Sequence, residues 1–367
     1  MAAGFEPVGF ADLASFGDDD LAQAFATFRR SARALVAGAA PTRPGVAPGP
    51  GLIAAARAAL AAEIGTAAAA RGFFETRFRP WRVRPGGAPG FLTGYYEPRL
   101  RGALERSRGF PTPVLARPDD LVALPPGAAP PGFDPAVTGA RRSPDGTLRP
   151  YPERAAIEAA AEAGGGRPIL WLEDPVELFM AQVQGSASAE LPDGRLVRLA
   201  YDGRNGQPYT SIGRLLIEAG EIAESEMSLA RLKSWLRAHG LAPGGSARNL
   251  MQRNRSYVFF RLETAVDPGQ GPIGGAGLAL EPLRSIAVDR GLWPYGTPFW
   301  LDARLPWRGA GRSPFRRLTI AQDTGSAILG AARADLYFGG GDEAGRRAGD
   351  IRHACEFTVL LPAGETP

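Results

Sequence analysis

Residues 317–341, RLTIAQDTGSAILGAARADLYFGGG, constrain the fold more than any other stretch of the chain. The apolar run 318–321 is too short for a helix. It is cut off by Asp323, Thr324, Gly325 and Ser326, all turn-formers, so it reads as a short buried strand ending at a carboxylate. A second apolar stretch, 327–329, follows, and Asp335 stands twelve residues after Asp323, beside Leu336, Tyr337 and Phe338. Each carboxylate is embedded in apolar neighbours, where desolvation raises a carboxyl pKa towards the range useful to a general acid. Asp-Thr-Gly is also a common Asx-turn, and an aspartate before a Gly-rich loop is often a cap. The pattern alone therefore leaves a structural role open.

The rest of the chain repeats this texture of short apolar runs cut by Gly (48) and Pro (34) among 367 residues. That favours a loop-rich, β-containing architecture over a helical bundle, and the length suggests two domains. A net charge of +4 with no long basic run argues against a nucleic-acid footprint. Arginine supplies nearly all the basic residues, Lys233 being the sole lysine. One cysteine, Cys355, excludes an intramolecular disulfide, and with only His239 and His353 a His-rich metal site or a Ser-His-Asp triad is poorly supported. Chemistry must rest on carboxylates, hydroxyls and amides, with no metal or organic cofactor. No run of 18 apolar residues is present to span a membrane. The opening MAAGFEPVGFADL has neither the charge pattern of an export signal nor a lipidation cysteine, which fits a cytoplasmic protein or one whose signal is not in this chain.

In chain order, the residues after Asp18–Asp20 read as a capped amphipathic helix, and an Ala-rich helix is expected over 52–71. FLTGYYEP (91–98) reads as a strand, in which Gly94 marks a bulge or a close approach by backbone or ligand. Asp174 and Pro175 supply an N-cap and first-turn proline for a helix running into Gln184, and Asp193-Gly194 a hairpin turn. Helices are expected over 210–222, 226–239 and 247–254, and short strands over 257–260, 285–288, 299–301 and 356–361.

Together FLTGYYEP, YPERAAIE (151–158), FMAQVQGSAS (179–188), YDGRNGQPYTSIGRLLIEAGEI (201–222), NRSYVFF (254–260), AVDRGLWPYGTPFW (287–300), AQDTGSAILGAARADLYFGGG (321–341) and EAGRRAG (343–349) resemble the lytic murein transglycosylases of the MltA type. The last blocks resemble that family's three-aspartate module, here Asp289, Asp323 and Asp335. The resemblance covers roughly residues 73–361, the N-terminal helices being less distinctive. It implies a mainly β protein with flanking helices. A discontinuous double-psi β-barrel domain would be built from 1–99 and 257–367, with a smaller β-rich, glycan-binding domain of residues 100–256 inserted, and a groove between the two.

The implied reaction cleaves the β-1,4 bond between N-acetylmuramic acid and N-acetylglucosamine in peptidoglycan without water, leaving a 1,6-anhydromuramoyl end. Because the sugar's own C6 hydroxyl is the nucleophile, one carboxyl can serve twice. By matching position Asp323 is that residue, with Asp335 and Asp289 as supports. Thr93, Tyr95, Tyr96, Glu97, Gln184, Gly185 and Ser186 would line the groove. Glu97 departs from the smaller polar residue of many relatives. Two other readings stay open: a non-catalytic, expansin-like polysaccharide-binding protein, and a hydrolase in which Asp335 or Asp289 activates water. The resemblance also implies a monomer working in the periplasm or at the inner face of the outer membrane.

Overall fold

The computed structural model describes residues 3–87, 89–125, 127–267, 269–309 and 311–367. The chain divides into two compact units, Met1–Tyr96 with Gly269–Pro367, and Glu97–Pro268. The return crossing, 268/269, lies twelve residues beyond the expected 256/257. The reason is the strand Val258–Glu263, which pairs antiparallel with Leu196–Arg204 and so belongs to the second unit.

In the first unit six strands close on themselves: Arg352–Pro362, Pro298–Leu305, Ser313–Asp323, Ser285–Val288, Arg333–Gly340 and Phe91–Glu97, the last pairing back onto the first. Pairing is antiparallel along Pro298–Leu305 and between Ser285–Val288 and Arg333–Gly340. The Ser285–Val288 and Ser313–Asp323 pair is parallel. Gly4–Pro7 and Phe78–Arg84 extend the sheet beyond the ring. This is the mainly β, barrel-containing fold class that the sequence implied.

The helix Leu21–Ala37 is capped by Asp20, which accepts from Gln23 N–H, and its apolar face buries Leu21, Phe25, Phe28 and Ala32. The expected single helix over 52–71 is two, Pro50–Ala61 and Ala67–Arg77. Thr66 breaks the alanine run by capping the second through Ala69 N–H, and Gly72 lies inside it. Phe73, Phe74 and Phe78 pack edge to face with Phe25 and Phe28, joining these helices to Trp300, Leu318 and Ile320 of the barrel. Arg284, fully buried, reinforces the joint. It donates to both carboxyl oxygens of Asp19 at 2.6 and 2.9 Å and to the Leu318 carbonyl.

The second unit holds a six-stranded sheet in the order Val258–Glu263, Leu196–Arg204, Ala187–Glu190, Arg99–Ala103, Pro168–Leu172, Thr112–Leu115, and a three-stranded meander. The helix Pro175–Gln184 covers the sheet, with Asp174 as its cap; helices Ile212–Glu218, Leu229–Ala238 and Ser246–Arg253 build an adjoining core. Three of the sequence blocks meet here in one buried network. Arg154 donates to Gln182 Oε1 (2.6 Å) and to the Asn254 and Ser256 carbonyls, under the rings of Phe179 and Tyr257. Asn205 joins Pro152 and Arg255 carbonyls to the Tyr257 N–H. Buried polar groups are stable when their partners are all present, so these motif residues specify the packing of the unit.

Candidate active site

Period-two alternation along Phe91–Glu97 decides which residues of FLTGYYEP meet the aspartates. Thr93 and Tyr95 share one face. Thr93 Oγ1 donates to Asp335 Oδ1 at 2.7 Å, and Tyr95 OH donates to Asp323 Oδ2 at 2.9 Å. Gly94 and Tyr96 share the other. A Cβ on Gly94 would lie 2.8 Å from the Ala348 carbonyl and 2.9 Å from the Phe338 ring, while Gly345 lies against the buried Tyr96 ring. The close approach marked by Gly94 is thus that of the helix Gly341–Gly349. The sequence reading missed this helix because its buried face is made of Ala and Gly.

Ala287 stands opposite Asp323 on one side and Asp335 on the other. Both carboxylates therefore occupy one level of one barrel face, with a single strand between them and their backbones roughly 10 Å apart. Asp323 ends its strand and is 7% exposed. Its Oδ1 accepts from Gly275 N–H at 2.7 Å and from its neighbour Thr324 N–H at 2.8 Å. Thr324 Oγ1 donates to the Val288 carbonyl, pinning the turn. Arg43 Nη1 lies 3.8 Å from the same Oδ1.

Asp335 is partly buried, and desolvation raises its pKa to about 6, with the charge of Asp323 adding to the rise. Arg333 and the Thr93 hydroxyl oppose the shift; Arg333 Nη2 also donates to Thr93 Oγ1 at 2.8 Å. Burial and the facing Asp323 likewise raise the Tyr95 hydroxyl well above its ordinary value, so Tyr95 is a donor throughout the working range. Asp289 differs. Its oxygens are taken by Gly291 N–H (2.9 Å) and Gly330 N–H (2.8 Å), tying together two loops.

Four candidates thus come together: Asp323, Asp335, Thr93 and Tyr95. Tyr96 is placed on the opposite face by the alternation. Glu97 begins the second unit, where it forms a buried two-point pair with Arg198 at 2.7 and 3.2 Å. Desolvation raises its pKa despite that arginine. Gln184 ends its helix, Gly185 caps it in the left-handed conformation (φ 85°), and Ser186 is buried beyond it, all within the second unit. Gly275, Arg43 and Arg333 were not foreseen. Glycine-rich loops and isolated arginines carry no local signal of the carboxylate they face.

Two cavities of the first unit, of about 700 and 380 Å³, are lined by Phe5, Leu52, Trp293 and Leu360 and by Leu35, Val46 and Tyr295 respectively. None of the three aspartates lines either. Among the described residues no three His, Cys, Asp or Glu side chains gather to hold a metal ion.

A carboxylate centre on a closed barrel, with a second unit spliced into the chain, defines a class found among known proteins. Residues 91–261 match the MltA specific insert domain, and residues 284–361 match the 3D domain. Membrane-bound lytic murein transglycosylase A of Vibrio cholerae is 37% identical over 209 residues, which are 55% of this chain and 54% of that protein. The chain thus aligns with about half the length of that relative. The crystal structure of a membrane-bound lytic murein transglycosylase from Agrobacterium tumefaciens superposes with a TM-score of 0.87 at 34% identity, covering 98% of each chain. MltA from Neisseria gonorrhoeae gives 0.79 at 30% identity, covering 100% of this chain and 94% of that one. The chain belongs to the MltA family.

Proposed function

We propose that the protein is a lytic transglycosylase of peptidoglycan that cleaves the N-acetylmuramic acid–N-acetylglucosamine β-1,4 bond and leaves a 1,6-anhydromuramoyl end. The observation that carries this is the setting of Asp323. One oxygen is filled by two backbone N–H groups, while the other, Oδ2, accepts from the Tyr95 hydroxyl. A carboxyl fixed in this way can hold a proton on Oδ2, give it to the glycosidic oxygen, and take one back from the C6 hydroxyl as O6 attacks C1. The bond C1–O4 breaks, C1–O6 forms, and no water is consumed. Asp335 and Thr93 set the field beside Asp323, Asp289 supports the loops, and the names of the relatives agree with this chemistry.

The residues of the inserted unit, Gln184, Gly185 and Ser186 among them, would bind the glycan strand. The enzyme would act as a monomer in the cell envelope, in the periplasm or at the inner face of the outer membrane. No helix among the described residues is long and apolar enough to cross a membrane.

A hydrolase is the second reading, because Asp335 shares the face of Asp323 one strand away and is poised near neutrality. Incubation of peptidoglycan with the protein and with Asp323→Asn, followed by mass analysis of the soluble fragments, separates the readings. Anhydro ends, lost with the variant, are expected. Hydrated ends would assign a hydrolase, and binding without release by either protein would assign a glycan-binding module.

A further inference from the structure

Arg43 lies outside both stretches matched to the family, as does the loop that carries Gly275. Its guanidinium nevertheless sits 3.8 Å from Asp323 Oδ1, and it donates to the Thr324 carbonyl at 2.5 Å. The arginine is held from three directions. Its N–H donates to the Gly275 carbonyl at 3.1 Å, Tyr295 OH donates to its carbonyl at 2.9 Å, and the adjacent Thr42 hydroxyl donates to the Gly274 carbonyl at 2.8 Å. Its side chain is 18% exposed and that of Asp323 10%, so solvent screens the pair weakly.

We propose that Arg43 is a positioning residue for the acid–base chemistry of Asp323, a role that rests on the function assigned above. The two N–H donors occupy Oδ1, and Arg43 places positive charge beside it, so the proton resides on Oδ2. When Oδ2–H passes its proton to the glycosidic oxygen, the electron pair stays on the carboxylate, whose charge is drawn towards Oδ1 and Arg43. When O6 attacks C1, its proton returns to Oδ2 and the group is restored. Tyr95 from its strand, Tyr295 from its turn and Asp335 across Ala287 also face Asp323. Asp335 and Arg43 thus place opposite charges on the two sides of Asp323.

The test compares wild type, Arg43→Gln and Arg43→Lys. Two readouts are taken across pH: rates of anhydro-end formation, and the ¹³C titration of the Asp323 carboxyl, assigned with Asp323→Asn. Arg43→Gln keeps a donor for the Thr324 carbonyl but removes the charge. It is expected to lower kcat at least tenfold with little change in KM, and to move the alkaline limb of the rate profile and the Asp323 carboxyl titration upward relative to wild type. Arg43→Lys is expected to restore most of the titration shift. An unmoved titration in Arg43→Gln overturns the proposal, as does a raised KM at unchanged kcat. The titration is read without turnover. A wild type that makes no anhydro ends therefore overturns the assigned function while leaving the Arg43–Asp323 coupling measurable.

Discussion

Asp335 and Asp323 face the same side of the barrel but meet different partners, and the difference sets what each does with a proton. Asp323 is surrounded by N–H and O–H donors, whereas the Asp335 carboxyl accepts from the Thr93 hydroxyl, and burial holds its pKa near 6. Between about pH 4, where a free aspartate titrates, and pH 6, the native state binds this proton and the unfolded state releases it. Stability therefore falls as pH rises through that window. Asp335→Asn removes the penalty. It is expected to stabilise the fold by about 2 kcal/mol at pH 7.5, and by almost nothing at pH 4, in denaturant titrations at the two pH values. An equal effect at both would mean that the residue does not titrate in this window. At this scale the sequence was informative about position: it singled out Asp323 and Asp335, which the fold brings to the two sides of Ala287. Their partners were not legible, since Tyr95 and Thr93 are separated from Tyr96 only by the parity of a strand, and Arg43 lies some 280 residues from the carboxylate it approaches.

The element that does most to build the site is the strand Phe91–Glu97, one face carrying hydroxyls to carboxylates and the other receiving the helix Gly341–Gly349. Gly94→Ala places a methyl against fixed backbone, the Ala348 carbonyl, and is expected to destabilise by about 2–3 kcal/mol and to lower activity by displacing Thr93 and Tyr95. Gly72→Ala is the control. It lies in an exposed helix interior with open space around it, and the same change there is expected to stabilise by about 0.5–1 kcal/mol. Thermal melts of the two variants moving in the same direction would contradict this packing. Elements with strong punctuation were legible: the cap at Asp174, the turn at Asp193-Gly194 and the strand 285–288 all stand where their residues imply. Alanine runs hid the break at Thr66, and a glycine-rich helix has no apolar period to reveal it.

For the whole molecule, the order of motifs implied a barrel interrupted by an insertion, but not how the ring closes. Closure joins Phe91–Thr93 to Arg352–Ala354, residues about 260 positions apart in the chain, and no local pattern encodes such a pairing. Buried charges were equally hidden: Asp19 with Arg284, Glu97 with Arg198, and Arg154 among carbonyls all look like surface residues in sequence. They make the fold specific, and within the first unit they steady the barrel that presents Asp323. In the proposed reaction this carboxylate works on a sugar whose own hydroxyl replaces water. That reaction is tested most directly by digesting peptidoglycan in ¹⁸O-labelled water and weighing the new muramoyl ends. Ends without label, lighter by one water than hydrolysed ends, are the expected result; ends that carry ¹⁸O would contradict it.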